Sequence, residues 1–173
     1  AAAYGGLVEN HKLDAHGNPL PTGDAEKNTV VVAGGTVANA YGAEVRTKNG
    51  NATENTAEIT NGTVDFVYGA SLAAANAAGT ADKSKVTIAG GTVNDSVYGG
   101  HIANAAATGQ IKNSEVNIAG GSVSGTVYGG YNSGSGDATG ATVNITGGTL
   151  HDVYGGHANG TGKSTGNTVN LGT

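Results

Sequence analysis

Acids and imidazoles are the side chains of this chain with the types and spacing to do chemistry. Asp65 and Asp95 each stand three residues before a Tyr-Gly pair, at Tyr68 and Tyr98, and Asp152 stands two before Tyr154. Carboxylates stacked at one spacing offer hard oxygen ligands to Ca²⁺ and a base for proton abstraction, the chemistry of a carbohydrate-active β-helix. That chemistry also needs a basic group beside the acids. The single arginine, Arg46, belongs to another loop, and the equivalent position before Tyr128 is Gly125, which interrupts the column. The acids are therefore expected to be solvated, and no catalytic residue is predicted.

Metal ligation fares no better. His101 and His157 both follow a Tyr-Gly-Gly, but Tyr131 occupies that position in the repeat between them. Two β-rungs separate the imidazoles by ~10 Å, too far for one metal with bonds of about 2 Å to each nitrogen. His11 and His16 share a loop with Asp14 and are expected to be solvated. The segment "GSGDATG", Gly134 to Gly140, matches part of a calcium-binding nonapeptide, but it occurs once, without the opening glycine pair or a tandem copy. A flat ice-binding Thr-x-Thr face is interrupted by Ala33, Ala89 and Ala119. No cofactor and no metal is expected.

The elements that would position such residues come from an unusual composition. The chain of 173 residues has 32 Gly, one Phe, no Trp, no Met, no Cys and 12% charged residues. It cannot build a compact aromatic and leucine core, so it must stack small β-branched side chains in a regular array. Lack of cysteine excludes disulfides, thiolate metal sites and cysteine catalysis. A net charge of −5 opposes binding to nucleic acid. No apolar run approaches the ~20 residues that span a bilayer as a helix.

That array is visible as a repeat. Tyr followed by Gly recurs at Tyr4, Tyr41, Tyr68, Tyr98, Tyr128 and Tyr154, at spacings of 37, 27, 30, 30 and 26 residues. Five of these are preceded by a glycine corner: Gly34-Gly35, Asn61-Gly62, Gly90-Gly91, Gly120-Gly121 and Gly147-Gly148. Before each corner Val30, Ala57, Val86, Val116, Val143 and Val169 hold one position, and Val32, Ile59, Ile88, Ile118, Ile145 and Leu171 lie two residues on. Mostly polar residues stand between them. Period-2 alternation in short β-branched runs means half-buried strands. After the corner Val37, Val64, Val93, Val123 and Leu150 supply a third inward position, and Ala40, Val67, Val97, Val127 and Val153 a fourth. The predicted fold is all-β: a parallel β-solenoid of about six coils of 26–37 residues, forming a single domain over residues 1–173. The Tyr column is expected to stack outward or at a corner.

The unit "NITGGTLHDVYGGHANGTGKSTGNTVNL" resembles the tandem repeats in β-helical passenger regions of Gram-negative autotransporter and adhesin-like surface proteins. The resemblance covers nearly everything from Ala33 onward, although this chain is short and carries no translocator barrel. It implies an exported, non-enzymatic β-helical stalk at the cell surface, with an extracellular location.

The chain begins and ends mid-repeat. "AAAYGG" reads as a second half-coil without its first, and "NTVNLGT" as a first half without its second. Such uncapped ends leave open strand edges and apolar rungs. The expected solution is a self-partnered, head-to-tail homopolymer through Ala1, Ala2, Ala3 and Tyr4 at one end and Asn167, Thr168, Val169, Asn170 and Leu171 at the other, forming a cell-surface filament. The alternatives are an adhesin fragment binding host or bacterial surface ligands through its loops, and, third, a carbohydrate-active β-helix.

Overall fold

The structure, a computed structural model, describes residues 1–9 and 23–172. The first-loop residues His11, Asp14 and His16 lie outside the described residues. Those described form an all-β chain without a helix, wound as a parallel β-solenoid of about five turns. Each face carries six rungs, because the outermost coils each contribute part of a turn.

The first face stacks the start of Thr29–Val45 and of Thr56–Leu72 with Lys85–Ile88, Glu115–Ile118, Thr142–Ile145 and Thr168–Leu171. The second face holds Ala2–Val8, the later parts of the two long strands, Val97–Ile102, Thr126–Asn132 and Asp152–Ala158. A third, six-stranded face consists of Ala25–Glu26, Ala52–Thr53, Thr80–Asp82, Gln110–Lys112, Ala138–Thr139 and Ser164–Thr165. All pairings are parallel and, apart from a register shift where Ala33 meets Asn61, join equivalent residues: Val116 pairs with Val86 and Val143, Tyr128 with Tyr98 and Tyr154.

The inward positions pack as anticipated. Val30, Val32, Ala57, Ile59, Val64, Val67, Val86, Ile88, Val93, Val97, Val116, Ile118, Val123, Val127 and Val143 are buried in one continuous column between the first and second faces. A second column lies against the third face and uses smaller side chains, with Ala43, Ala52, Ala70, Ala81 and Ala138 around Val45, Leu72, Ile102 and Ile111. In the fifth coil the inward position of Leu72 and Ile102 is taken by Asn132, which is fully buried. Its Nδ2 donates to the carbonyls of Gly109 (3.0 Å) and Gly136 (2.9 Å), and its Oδ1 accepts from the Gly134 amide at 2.9 Å. A buried amide is tolerated there because both ends of the group are satisfied.

A column of glycines at Gly23, Gly50, Gly79, Gly109, Gly136 and Gly162 closes each loop onto the third face. A Cβ at Gly79 would lie 2.0 Å from the Gly50 carbonyl oxygen, and one at Gly136 1.8 Å from that of Gly109. Adjacent coils approach too closely there for any side chain.

Candidate functional site

The residues singled out for assembly occupy the two ends of the solenoid. Ala2, Ala3 and Tyr4 pair with Asn39, Ala40 and Tyr41, and the Ala1 carbonyl accepts from the Ala38 amide at 2.8 Å. Arg46 secures this end strand: its guanidinium bonds the Glu9 carboxylate, donates to the Tyr4 hydroxyl at 3.2 Å, and pairs with Glu44 at 2.6 Å. At the opposite end Thr168, Val169, Asn170 and Leu171 pair with Thr142, Val143, Asn144 and Ile145. Asn167 accepts from the Ala141 amide (2.8 Å) and donates to the Ala138 carbonyl (3.0 Å). The two groups do not meet within one chain.

What each end exposes follows from ladder geometry. An inner rung has neighbours on both sides, whereas an end rung has one, so its apolar side chains and backbone edge stay open. Leu171 is 77% exposed, Val169 40% and Tyr154 45%, while Ile118 and Val116 in the same columns are fully covered. At the other end Asp24, Glu26, Leu7 and Val8 line an open recess together with Gly6, Ala25 and Asn28.

The Tyr column points outward, as the alternation from the preceding aliphatic position requires. Its rings stack face to face, with neighbouring centroids 4.6–5.4 Å apart and planes within 5–12°. Stacking removes ring faces from water and leaves edges and hydroxyls at the surface. Desolvation raises the phenol pKa of Tyr68, Tyr98 and Tyr128, and pushes Tyr41 up to about 12 with help from the Glu44 carboxylate.

No family model, curated protein or solved structure matches the chain. The functional reading therefore rests on geometry.

The candidate chemical residues are dispersed or occupied. Asp65 accepts from Asn94 Nδ2 at 2.9 Å, and Asp95 from Ser96 Oγ at 3.0 Å. Asp152 sits in the neighbouring column, paired in register with Thr126, and contacts His151 at 3.3 Å. The Asp137 carboxylate in the glycine-rich segment accepts from the Lys163 amide at 2.7 Å. His101 and His157 flank Tyr131 in one ladder, with ring centroids 5.8 and 5.2 Å from it. Desolvation pushes the His101 pKa down to about 4. Among the described residues no group of three His, Cys, Asp or Glu converges to hold a metal ion.

Sequence reasoning missed three end residues, Asp24, Asn28 and Lys163. Asn55 and Asn167 each reach back to the preceding coil, Asn55 to the Ala25 carbonyl and the Asn28 amide (2.9 and 3.0 Å). Asn28 holds the same position in the first coil, with no preceding coil to reach. Asp24 holds the position of Asp137, whose neighbour in the last coil is Lys163. The recurrence of Asn ahead of the first-face strand was the available signal.

Proposed function

We propose that this protein is a non-catalytic structural subunit whose copies stack head to tail into a filament at a bacterial cell surface. The observation that carries this reading is register. One more rung placed on the last coil, at the spacing of all the others, sets Tyr154 against Tyr4 of the next copy and Val153 against its Ala3. It sets Val169 and Leu171 against Val30 and Val32 of that copy, continuing the aliphatic columns. Lys163 then faces Asp24 of the next copy, an ion pair of the correct sign, and Asn28 of that copy reaches the last coil as Asn55 and Asn167 reach theirs. The inward aliphatic columns and the Tyr column continue without a change of residue class, whereas two outward columns change, Asn170 meeting Val31 and His157 meeting Leu7.

The contact is heterologous and does not close on itself, so it propagates. Six rungs at about 4.8 Å give a rise of roughly 29 Å per copy. Net charges repeated at that interval lie well beyond the Debye length of ~8 Å at physiological salt, so they oppose growth only weakly. The resemblance to passenger repeats supports the exported, surface-bound setting.

Negative-stain electron microscopy across a concentration series tests the proposal. Smooth fibres of single-solenoid width are expected from the wild-type chain, and isolated short rods from Leu171→Asp at unchanged monomer melting temperature. Lys163→Asp should shorten fibres, and Asp24→Lys in the same chain should restore them. Isolated rods from the wild type at every concentration would overturn the reading.

One observation favours a second reading, an adhesin-like segment that binds through its loops. A recess on the solenoid flank is bordered by Ala73, Ala103 and Asn104, which open two of the loops. Retention of a soluble ligand by isolated, non-polymerising rods would support it.

A further inference from the structure

The outward position three residues after each Tyr forms a second column beside the Tyr ladder: Leu7, Glu44, Ser71, His101, Tyr131 and His157. Its last three members are rings, and they stack on one another. Each also touches the Tyr of its own coil edge-on or tilted, at 4.5 Å for His101 with Tyr98, 5.1 Å for Tyr131 with Tyr128 and 5.8 Å for His157 with Tyr154. The flank of the later coils is thus a two-column aromatic wall without a gap.

In the earlier coils the wall is interrupted. Ser71 stands where a ring would continue the ladder beyond His101, and Glu44 stands one rung further on. The missing ring leaves a cavity of about 250 Å³ lined by Tyr41, Tyr68, Glu44, Ser71, His101 and Asn104. We propose that this vacancy is a binding site for a small neutral planar aromatic molecule carrying one hydrogen-bond donor, of the phenol or indole class, which completes the second aromatic column.

Three features select that chemistry. Tyr68 and His101, in tilted contact with centroids 5.1 Å apart, together form an aromatic wall of the recess. Ser71, 4% exposed, lies 3.5 Å from His101 Nδ1, so a hydroxyl stands where the ligand's polar edge would rest. Glu44, 6% exposed, borders the recess with its carboxylate, whose Oε2 is turned away from solvent. That oxygen is ion-paired with Arg46, which offsets its charge and removes the preference for a cation. A neutral donor directed at the rest of this carboxylate gains a charge-assisted hydrogen bond. His101 is neutral near pH 7, since burial holds its pKa near 4, and it therefore stacks as an uncharged ring.

The chain contains no Trp, so indole emission reports the ligand alone. Titrating indole with protein should give a saturable blue shift of that emission. Phenol should displace the indole, whereas cyclohexanol, with the same hydroxyl on a puckered ring, should not. Ser71→Tyr places a ring in the vacancy and should abolish binding while raising the melting temperature; Glu44→Gln should weaken binding several-fold. Absence of a saturable shift in the wild type, displacement by cyclohexanol as effective as that by phenol, or undiminished binding in Ser71→Tyr would each overturn the proposal.

Discussion

At the corner that follows each first-face strand, Gly35, Gly62, Gly91, Gly121 and Gly148 hold φ between 75 and 93°; at the corner that precedes it, Lys27, Glu54, Lys83 and Asn113 hold φ between 50 and 56°. Gly140 and Gly166 complete the second column at 66 and 67°. Both corners turn the chain through left-handed backbone, yet one admits only glycine and the other admits almost anything. Space separates them wherever a coil precedes the first corner, while Gly35, in the first coil, has open space and is set apart by its φ alone. A Cβ on Gly91 or Gly121 would lie 2.7 Å from a carbonyl oxygen of the coil before, whereas one on Gly166 would meet nothing closer than 3.8 Å. The first corner also exceeds the narrow left-handed well open to L-residues, while the second sits within it. Lys27, Glu54, Lys83 and Asn113 are exposed, so they bear only the conformational cost of ~1–2 kcal/mol each.

The largest effect expected from breaking this contrast is at the first corner. Gly91→Ala adds both the backbone strain and the clash with the Gly62 carbonyl, and should destabilise the fold by about 3 kcal/mol. Thermal unfolding followed by circular dichroism measures it. A loss below about 1 kcal/mol would show that the coils can part at this corner and that space does not dictate its glycine.

Next comes the residue immediately after the second corner. Asn55 is fully buried and bonds the Asn28 amide and the Ala25 carbonyl of the coil before. Asn55→Ala orphans both groups and should cost about 2 kcal/mol. Chemical denaturation with an unchanged m-value would confirm that the loss is local.

Lys83→Gly sharpens the comparison from the other side. It relieves the left-handed strain but loosens the unfolded chain, which returns about 0.4–1 kcal/mol of the gain. A net stabilisation of about 1 kcal/mol is expected, opposite in sign to any exchange at Gly91. Glycine at an outward-facing, half-buried strand position, Thr87→Gly, should destabilise and serves as the control.

The same contrast explains what could be read in the sequence. The first corner announces itself by a glycine because its second residue holds a φ of 75–93°, beyond the well open to L-residues. The Val/Ile columns announce themselves because a four-residue strand contains a full period-2 pattern. Neither condition holds on the third face, whose strands are two or three residues long and whose core is mostly alanine, so Ala25, Ala52, Ala81 and Ala138 were indistinguishable from loop. Loops of unequal length hid the glycine column from Gly23 to Gly162. At the ends, Tyr4, Val169 and Leu171 were legible as members of strong columns. Asp24, Asn28 and Lys163 were not, since their meaning depends on third-face register. The vacancy at Ser71 is visible only once the second aromatic column has been assembled in space.

The smallest expected effect lies where the second corner's buried column loses its asparagines. Asn55 and Asn167 reach the preceding coil and Asn28 holds their position in the first, but Ser84, Ser114 and Ala141 occupy that position between them. The hydroxyls of Ser84 and Ser114 are buried and have no partner among the described residues. A serine oxygen is too short to make the contacts that Asn55 makes, and Ile111 fills part of the space in front of Ser114: a Cβ on Gly100 would lie 2.6 Å from its Cγ2 and 2.9 Å from Ser114 Oγ. Ser114→Ala removes an unsatisfied polar atom from a site that already accepts alanine one coil later, and should raise stability by about 0.5 kcal/mol after the small loss of packing. A double-mutant cycle with Ser84→Ala should show coupling between the two sites, because Ser84 and Ser114 stack in adjacent rungs. A measurable loss of stability in Ser114→Ala would mean that a bound water or a shifted coil satisfies the hydroxyl, and that the middle of the column is polar by need and not by default.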